Sequence, residues 1–240
     1  MTEYFQKIHP IPDHAHGVTA AALTQYSWGD KAAVVTKFKR KLKVDLRRLQ
    51  LAQCCYCRRQ LSDDCTVHME HFVDKGIYSA YTFEIQNLAL ACGTCNGAKN
   101  GHTLHITALL KKRAVRHGKA NFLRCPALTS TLNAGLPYPA TAASFRWVHP
   151  HFDNFSDHIE LTRGWVYARV TLKGYRTIQS VKLNQIAALE KRAADERMAA
   201  RGNDVMTALA AQFPELPDED MRDAAALLAE KIRQRRLQPT

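Results

Sequence analysis

Two Cys-x2-Cys pairs, Cys54/Cys57 and Cys92/Cys95, limit what this chain can fold into more than any other feature of its 240 residues. A turn of that spacing presents two sulfurs on one side of an ion. Two such turns supply the four thiolates that a structural zinc site takes at the corners of a tetrahedron. The expectation is a structural Zn2+ held by Cys54, Cys57, Cys92 and Cys95. The segment they bracket should depend on it, because a short, loop-rich element buries little apolar surface of its own. The chain has seven cysteines, an odd number, so a disulfide framework is not expected. Cys55, Cys65 and Cys125 remain, and each reads as a small buried hydrophobe rather than a reactive thiol.

Between the knuckles, Thr66–Phe72 reads as a short strand ending in the acid–histidine pair Glu70-His71, and Asn87–Ala91 as a second strand running into the second knuckle. Asn96-Gly97-Ala98-Lys99 would begin a helix. The order is strand, loop, strand, zinc turn, helix. Before the knuckles, Val35, Phe38, Leu42, Leu46 and Leu49 recur at spacings of three and four, which predicts one amphipathic helix within 31–53. After them a helix is expected from about Leu104 to His117. A proline- and glycine-bearing connection follows over 125–142, then a strand over Trp165–Leu172 and helices over 177–201, 203–213 and 218–235. Residues 1–30 read as an irregular arm or a short helix.

Glu70-His71, then Asn87, then Asn96 just after Cys92-x2-Cys95 resembles the motif of the HNH endonucleases, over about 46 residues of the chain. Glu70 stands where that family more often has Asp, and Asn96 where it often has a final His; both variants occur in it. The resemblance implies an α+β protein, mainly helical, with a zinc-stapled ββα-metal core. Its segments are 1–53 (arm and basic amphipathic helix), 54–120 (HNH nuclease core) and 121–240 (accessory strand plus helices). It further implies that His71 is the general base that activates water. Asn87 braces the loop whose carbonyl orients that histidine, and Glu70 and Asn96 offer hard oxygens to a catalytic Mg2+ or Mn2+. By the same resemblance the products carry 5′-phosphate and 3′-hydroxyl ends. His68, three residues before His71 on a strand, should face the other side.

The charge agrees with a polyanionic substrate: 34 Lys and Arg against 22 Asp and Glu give a net +12. Arg40, Lys41, Arg47 and Arg48 form a basic helix face, and Lys99 follows Asn96 by one turn. Each is a candidate phosphate contact, with an exposed, solvated helix residue as the alternative. DNA is the expected substrate, and RNA stays open because phosphate contacts carry little base or sugar identity. A zinc-knuckle binding module without catalysis is the remaining alternative. The strip His149, His151, Asp153, Asp157, His158, Glu160 has no metal-ligand spacing, so no second metal is expected there. That strip and the string Lys182–Arg192 resemble the C-terminal part of retron-associated and Septu-type HNH proteins, which implies antiviral defence beside an ATPase partner. No long apolar run or secretion signal is legible, so the expected location is cytoplasmic and no membrane is involved.

Overall fold

The computed structural model describes residues 4–13, 20–61, 67–117, 125–132, 136–162 and 166–185. The chain divides into two compact units, 1–162 with 166–184, and 163–165 with 185–240. Every element below belongs to the first. The segments read as 1–53 and 54–120, and much of the one read as 121–240, therefore share one unit. The helices expected over 203–213 and 218–235 lie outside the described residues, as does Cys65.

A single helical turn, α1 (Ala20–Leu23), precedes α2 (Ala33–Leu49). Val35, Phe38, Leu42 and Leu46 bury one face of α2, as their spacing requires, and Leu49 is half-buried at its end. Beyond the helix, the buried Gln50 donates from Nε2 to Leu90 O (2.9 Å) and accepts from Leu90 N at Oε1 (2.7 Å). Its amide thus pairs with β2 as a neighbouring strand would, and satisfies a backbone that water cannot reach.

The two expected strands form an antiparallel hairpin, β1 (Val67–His71) with β2 (Leu88–Cys92), in a register that sets Glu70 opposite Ala89 and His71 opposite Leu88. Helix α3 follows at once, over Gly93–Arg116. It begins three residues before the start expected at Asn96, takes in the second knuckle, and joins without a break the helix expected from Leu104. Gly97 and Gly101 lower its intrinsic propensity, while Cys95, Lys99 and Thr103, at intervals of four, anchor its inner face.

A second small sheet pairs β3 (Ile159–Leu161) with β4 (Tyr167–Arg169), and α4 (Leu172–Val181) packs beside it. The strand expected over Trp165–Leu172 is thus shorter. It ends because Thr171 caps α4, accepting from Gly174 N at 3.2 Å. The helix expected from Thr177 begins earlier, at Leu172, and stops at Lys182, which takes a left-handed conformation (φ 55°). Gly174 is required there: a Cβ would lie 1.8 Å from His158 O. The described residues are α+β, with two small antiparallel sheets. The expectation of a mainly helical chain rests largely on 186–240, outside the described residues. No helix among those described is long and apolar enough to cross a membrane.

Candidate functional site

The four knuckle cysteines come from different pieces of chain: Cys54 and Cys57 from the turn after α2, Cys92 from the end of β2, Cys95 from the first turn of α3. Their sulfurs all lie within 4.8 Å of one another. Zn–S bonds of about 2.3 Å put tetrahedral sulfurs about 3.8 Å apart, and Cys57 Sγ and Cys92 Sγ are 3.9 Å apart. Burial opposes ionisation of Cys54, but hydrogen bonds from its neighbouring cysteines outweigh it and hold its thiol well below the usual range. The donor set and its spacing fit a metal such as zinc. Around it, Cys92 N donates to Cys54 Sγ (3.3 Å) and Tyr167 Oη to Cys57 O (2.7 Å). Arg58, stacked between Phe5 and Phe155, donates to Cys55 O. Its cation offsets thiolate charge.

On the other side of the hairpin, Glu70, His71, Asp74, Lys75, Asn96 and Lys99 line a small polar cleft of about 70 Å3. That is space for roughly two waters, or for an ion that shares its coordination with solvent. Glu70 is buried. Its Oε1 meets Lys99 Nζ at 2.6 Å and accepts from Tyr56 Oη at 3.1 Å. Burial pushes its carboxyl up, while Lys99 and Tyr56 pull it back toward ionisation. Oε2 has no hydrogen-bond partner among the described residues. Asn96 is half-buried, and its Oδ1 accepts from Asn100 at 3.3 Å. Carboxylate and amide oxygens from Glu70, Asn96 and Asp74, the oxygen types that hard divalent cations take, line this one cleft. Asp74 is an addition that the sequence motif did not single out.

His71 is 6% exposed, and its Nε2 lies 3.0 Å from Thr82 O. A carbonyl can only accept, so Nε2 carries the proton and Nδ1 is left as the basic nitrogen. Burial first, then the cations Lys75, Lys99 and Lys39, push its pKa down to about 3 against the opposing Thr82 contact. The imidazole is therefore neutral at physiological pH. Trp28 sets its ring edge-on to His71 (centroids 4.4 Å apart) and is itself covered by Lys39.

Asn87 lies outside the cleft, fully buried, behind the loop that carries Thr82. Its Nδ2 donates to Tyr81 O (2.9 Å) and Val73 O (3.1 Å), and its Oδ1 accepts from Val73 N (2.7 Å) and Tyr138 Oη (3.2 Å). All four hydrogen-bonding positions of the amide are filled. Lys99, offered above as an exposed lysine or a phosphate contact, is neither free nor exposed. It is 1% accessible, bound to Glu70 and to His71 O. The i, i+4 spacing from the metal-facing Cys95 carries that signal in the sequence.

His68 is exposed on β1 and does not line the cleft. Of the α2 cations, Arg40 and Arg48 are exposed and Lys41 half-buried. Arg47 is partly engaged, donating to Leu61 O at 2.8 Å. The strip from His149 to Glu160 holds hydrogen-bonded packing rather than a ligand set: Asp153 pairs with Lys173 (2.5 Å) and His158 (3.2 Å), and His151 Nε2 donates to Leu88 O (2.8 Å). Trp28, Tyr56, Thr82 and Tyr138 went unmarked in the sequence. Thr82 acts through its backbone, and the aromatics lie in segments without periodicity. Compared with protein-family models, curated proteins and solved structures, the chain matches none.

Proposed function

We propose that this chain is a metal-dependent endonuclease of the HNH kind, hydrolysing DNA phosphodiester bonds. The observation that carries the reading is the His71 constellation. A neutral imidazole is fixed by Thr82 O, its loop is braced by Asn87, and it shares one polar cleft with Glu70 and Asn96. Hydrolysis needs a base that is unprotonated and held in one tautomer. His71 Nδ1 takes the proton from the attacking water as the P–O bond to the sugar breaks, and the departing 3′-oxygen is protonated from solvent. A Mg2+ or Mn2+ held by Glu70 and Asn96 would supply positive charge beside the phosphoryl oxygens, where negative charge grows in the transition state. Zinc at the four cysteines would hold loop, strand and helix together. The exposed Arg40 and Arg48, with Lys41, are the candidate backbone grips. The defence role and the ATPase partner rest on the resemblance of the C-terminal strings alone.

Purified wild-type protein and His71→Ala, incubated with supercoiled plasmid and Mg2+ or Mn2+, test this. The expected outcome is nicking or linearisation that EDTA abolishes and that falls by at least 100-fold in the variant, the scale of a lost general base. Zinc-loaded wild-type protein that retains DNA and leaves it intact would support a binding module instead. Cleavage of RNA alone would reassign the substrate.

A further inference from the structure

His149, buried among Phe72, Phe145 and Phe152, belongs to the strip that offers no metal ligand set. Its hydrogen bonds have one consistent direction. The backbone N of His151 donates to His149 Nδ1 at 3.1 Å, and a backbone N–H cannot accept. Nδ1 is therefore unprotonated, and a neutral His149 carries its hydrogen on Nε2. Burial, with Lys173 and His151 nearby, holds the ring neutral. Nε2–H then donates to Tyr138 Oη, 2.9 Å away. With that contact accepted, the single hydroxyl hydrogen of Tyr138 is left for Asn87 Oδ1, at 3.2 Å.

The consequence reaches the cleft. An amide has two orientations that differ by exchange of O and N, and Val73 N and Tyr138 Oη both supply donors where only the oxygen can accept. The amide nitrogen must then face Tyr81 O and Val73 O, next to the carbonyl that fixes His71. Tyr81 returns the link, donating from Oη to Leu136 O at 3.0 Å, two residues from Tyr138. We propose that Tyr138 and His149 are positioning residues for the reaction. With Val73 N, their one-way hydrogen-bond relay holds the Asn87 amide, and through the Tyr81–Thr82 loop the tautomer of His71. This rests on the nuclease reading given above for the catalytic effect, while the structural coupling stands independently of it. Residues from beyond the ββα element thereby complete its site.

Tyr138→Phe in the full chain tests it, since the ring packing stays and only the hydroxyl goes. Tyr78→Phe is the matched control: it removes a hydroxyl that accepts from Leu132 N at 3.0 Å and lies off the relay. Two readouts are taken at one pH on zinc-loaded protein: kcat and KM for plasmid nicking, and the His71 tautomer from long-range 1H–15N spectra of histidine-labelled protein. Loss of a supporting hydrogen bond behind a catalytic group typically costs 10–100-fold. We expect Tyr138→Phe to lower kcat by about that factor with KM unchanged, and to turn one His71 tautomer into a mixture, while Tyr78→Phe does neither. His149→Phe, which removes the donor to Tyr138 and leaves its hydroxyl free to turn, is expected to have a smaller effect of the same kind and serves if Tyr138→Phe does not fold. Wild-type kcat and a single His71 tautomer in the relay variants would overturn the proposal, as would equal loss in Tyr78→Phe. If the wild type cuts nothing, the nuclease reading falls, and the tautomer spectrum alone decides the relay.

Discussion

Glu70 and Lys99 are 2% and 1% exposed, so their ion pair has little water to share its charge. Breaking such a pair from one side leaves an uncompensated buried charge, which costs about 3–5 kcal/mol. We expect Lys99→Met to destabilise the protein by that amount and to push the Glu70 carboxyl further up; a urea midpoint equal to wild type would refute it. The double change Glu70→Gln with Lys99→Met should recover much of the loss. Lys99 also shows where single residues were legible. Its distance from Cys95 put it on the metal-facing side of a helix, and charge type alone pointed outward. Glu70, His71, Asn87 and Asn96 were legible because motif spacing encodes their neighbourhood. Thr82, which contributes a carbonyl, leaves no side-chain signature.

Two five-residue strands and one helix cannot fold on their own pairing, since an isolated hairpin is marginal in water. The four cysteines bring the turn after α2, the end of β2 and the start of α3 to one point, where binding of a metal such as zinc would be coupled to folding. Stripping the protein with a chelator at neutral pH should lower Tm by more than about 10 °C, the effect of several kcal/mol on a domain of this size. Circular dichroism with metal analysis checks this, and an unchanged Tm in metal-free protein would count against it. At this scale the strands and α2 were legible from apolar spacing. A helix start at Asn96 was legible too, but not its unbroken run into the segment from Leu104, because Gly97 and Gly101 lower local propensity while tertiary anchors decide. The end of β4 and the extent of α4 were hidden likewise: the cap at Thr171 and the close approach at Gly174 depend on a distant partner.

Across the molecule, three histidines among the described residues are buried and held neutral: His71, His149 and His151. Burial, helped by three nearby lysines, holds His71 down to about 3, and burial holds His151 down to about 4; His149 is lowered well below its usual range. In the unfolded chain each would titrate near 6.5. Between that value and the depressed native one, the unfolded state binds more protons, so stability is full above pH 6.5 and falls with acidification, levelling only near each native pKa. At pH 5 the loss is about 2 kcal/mol for His71 and about the same for His151. We expect Tm to drop steadily from pH 7 to 5 with proton uptake on unfolding, and a flat profile would show that these rings are charged or exposed. The reading of 121–240 as accessory missed this scale altogether, because a proline-rich connection gives no hint that Tyr138 reaches Asn87. That contact bears on modularity. A fragment cut at 54 and 120 would keep all four knuckle cysteines and every cleft residue, yet it would lose Tyr138, His149 and the Tyr167 hydroxyl that grips Cys57. The small cysteine-stapled element is therefore not a portable cassette. Grafted elsewhere, it would carry its ligands without the scaffold that aims them.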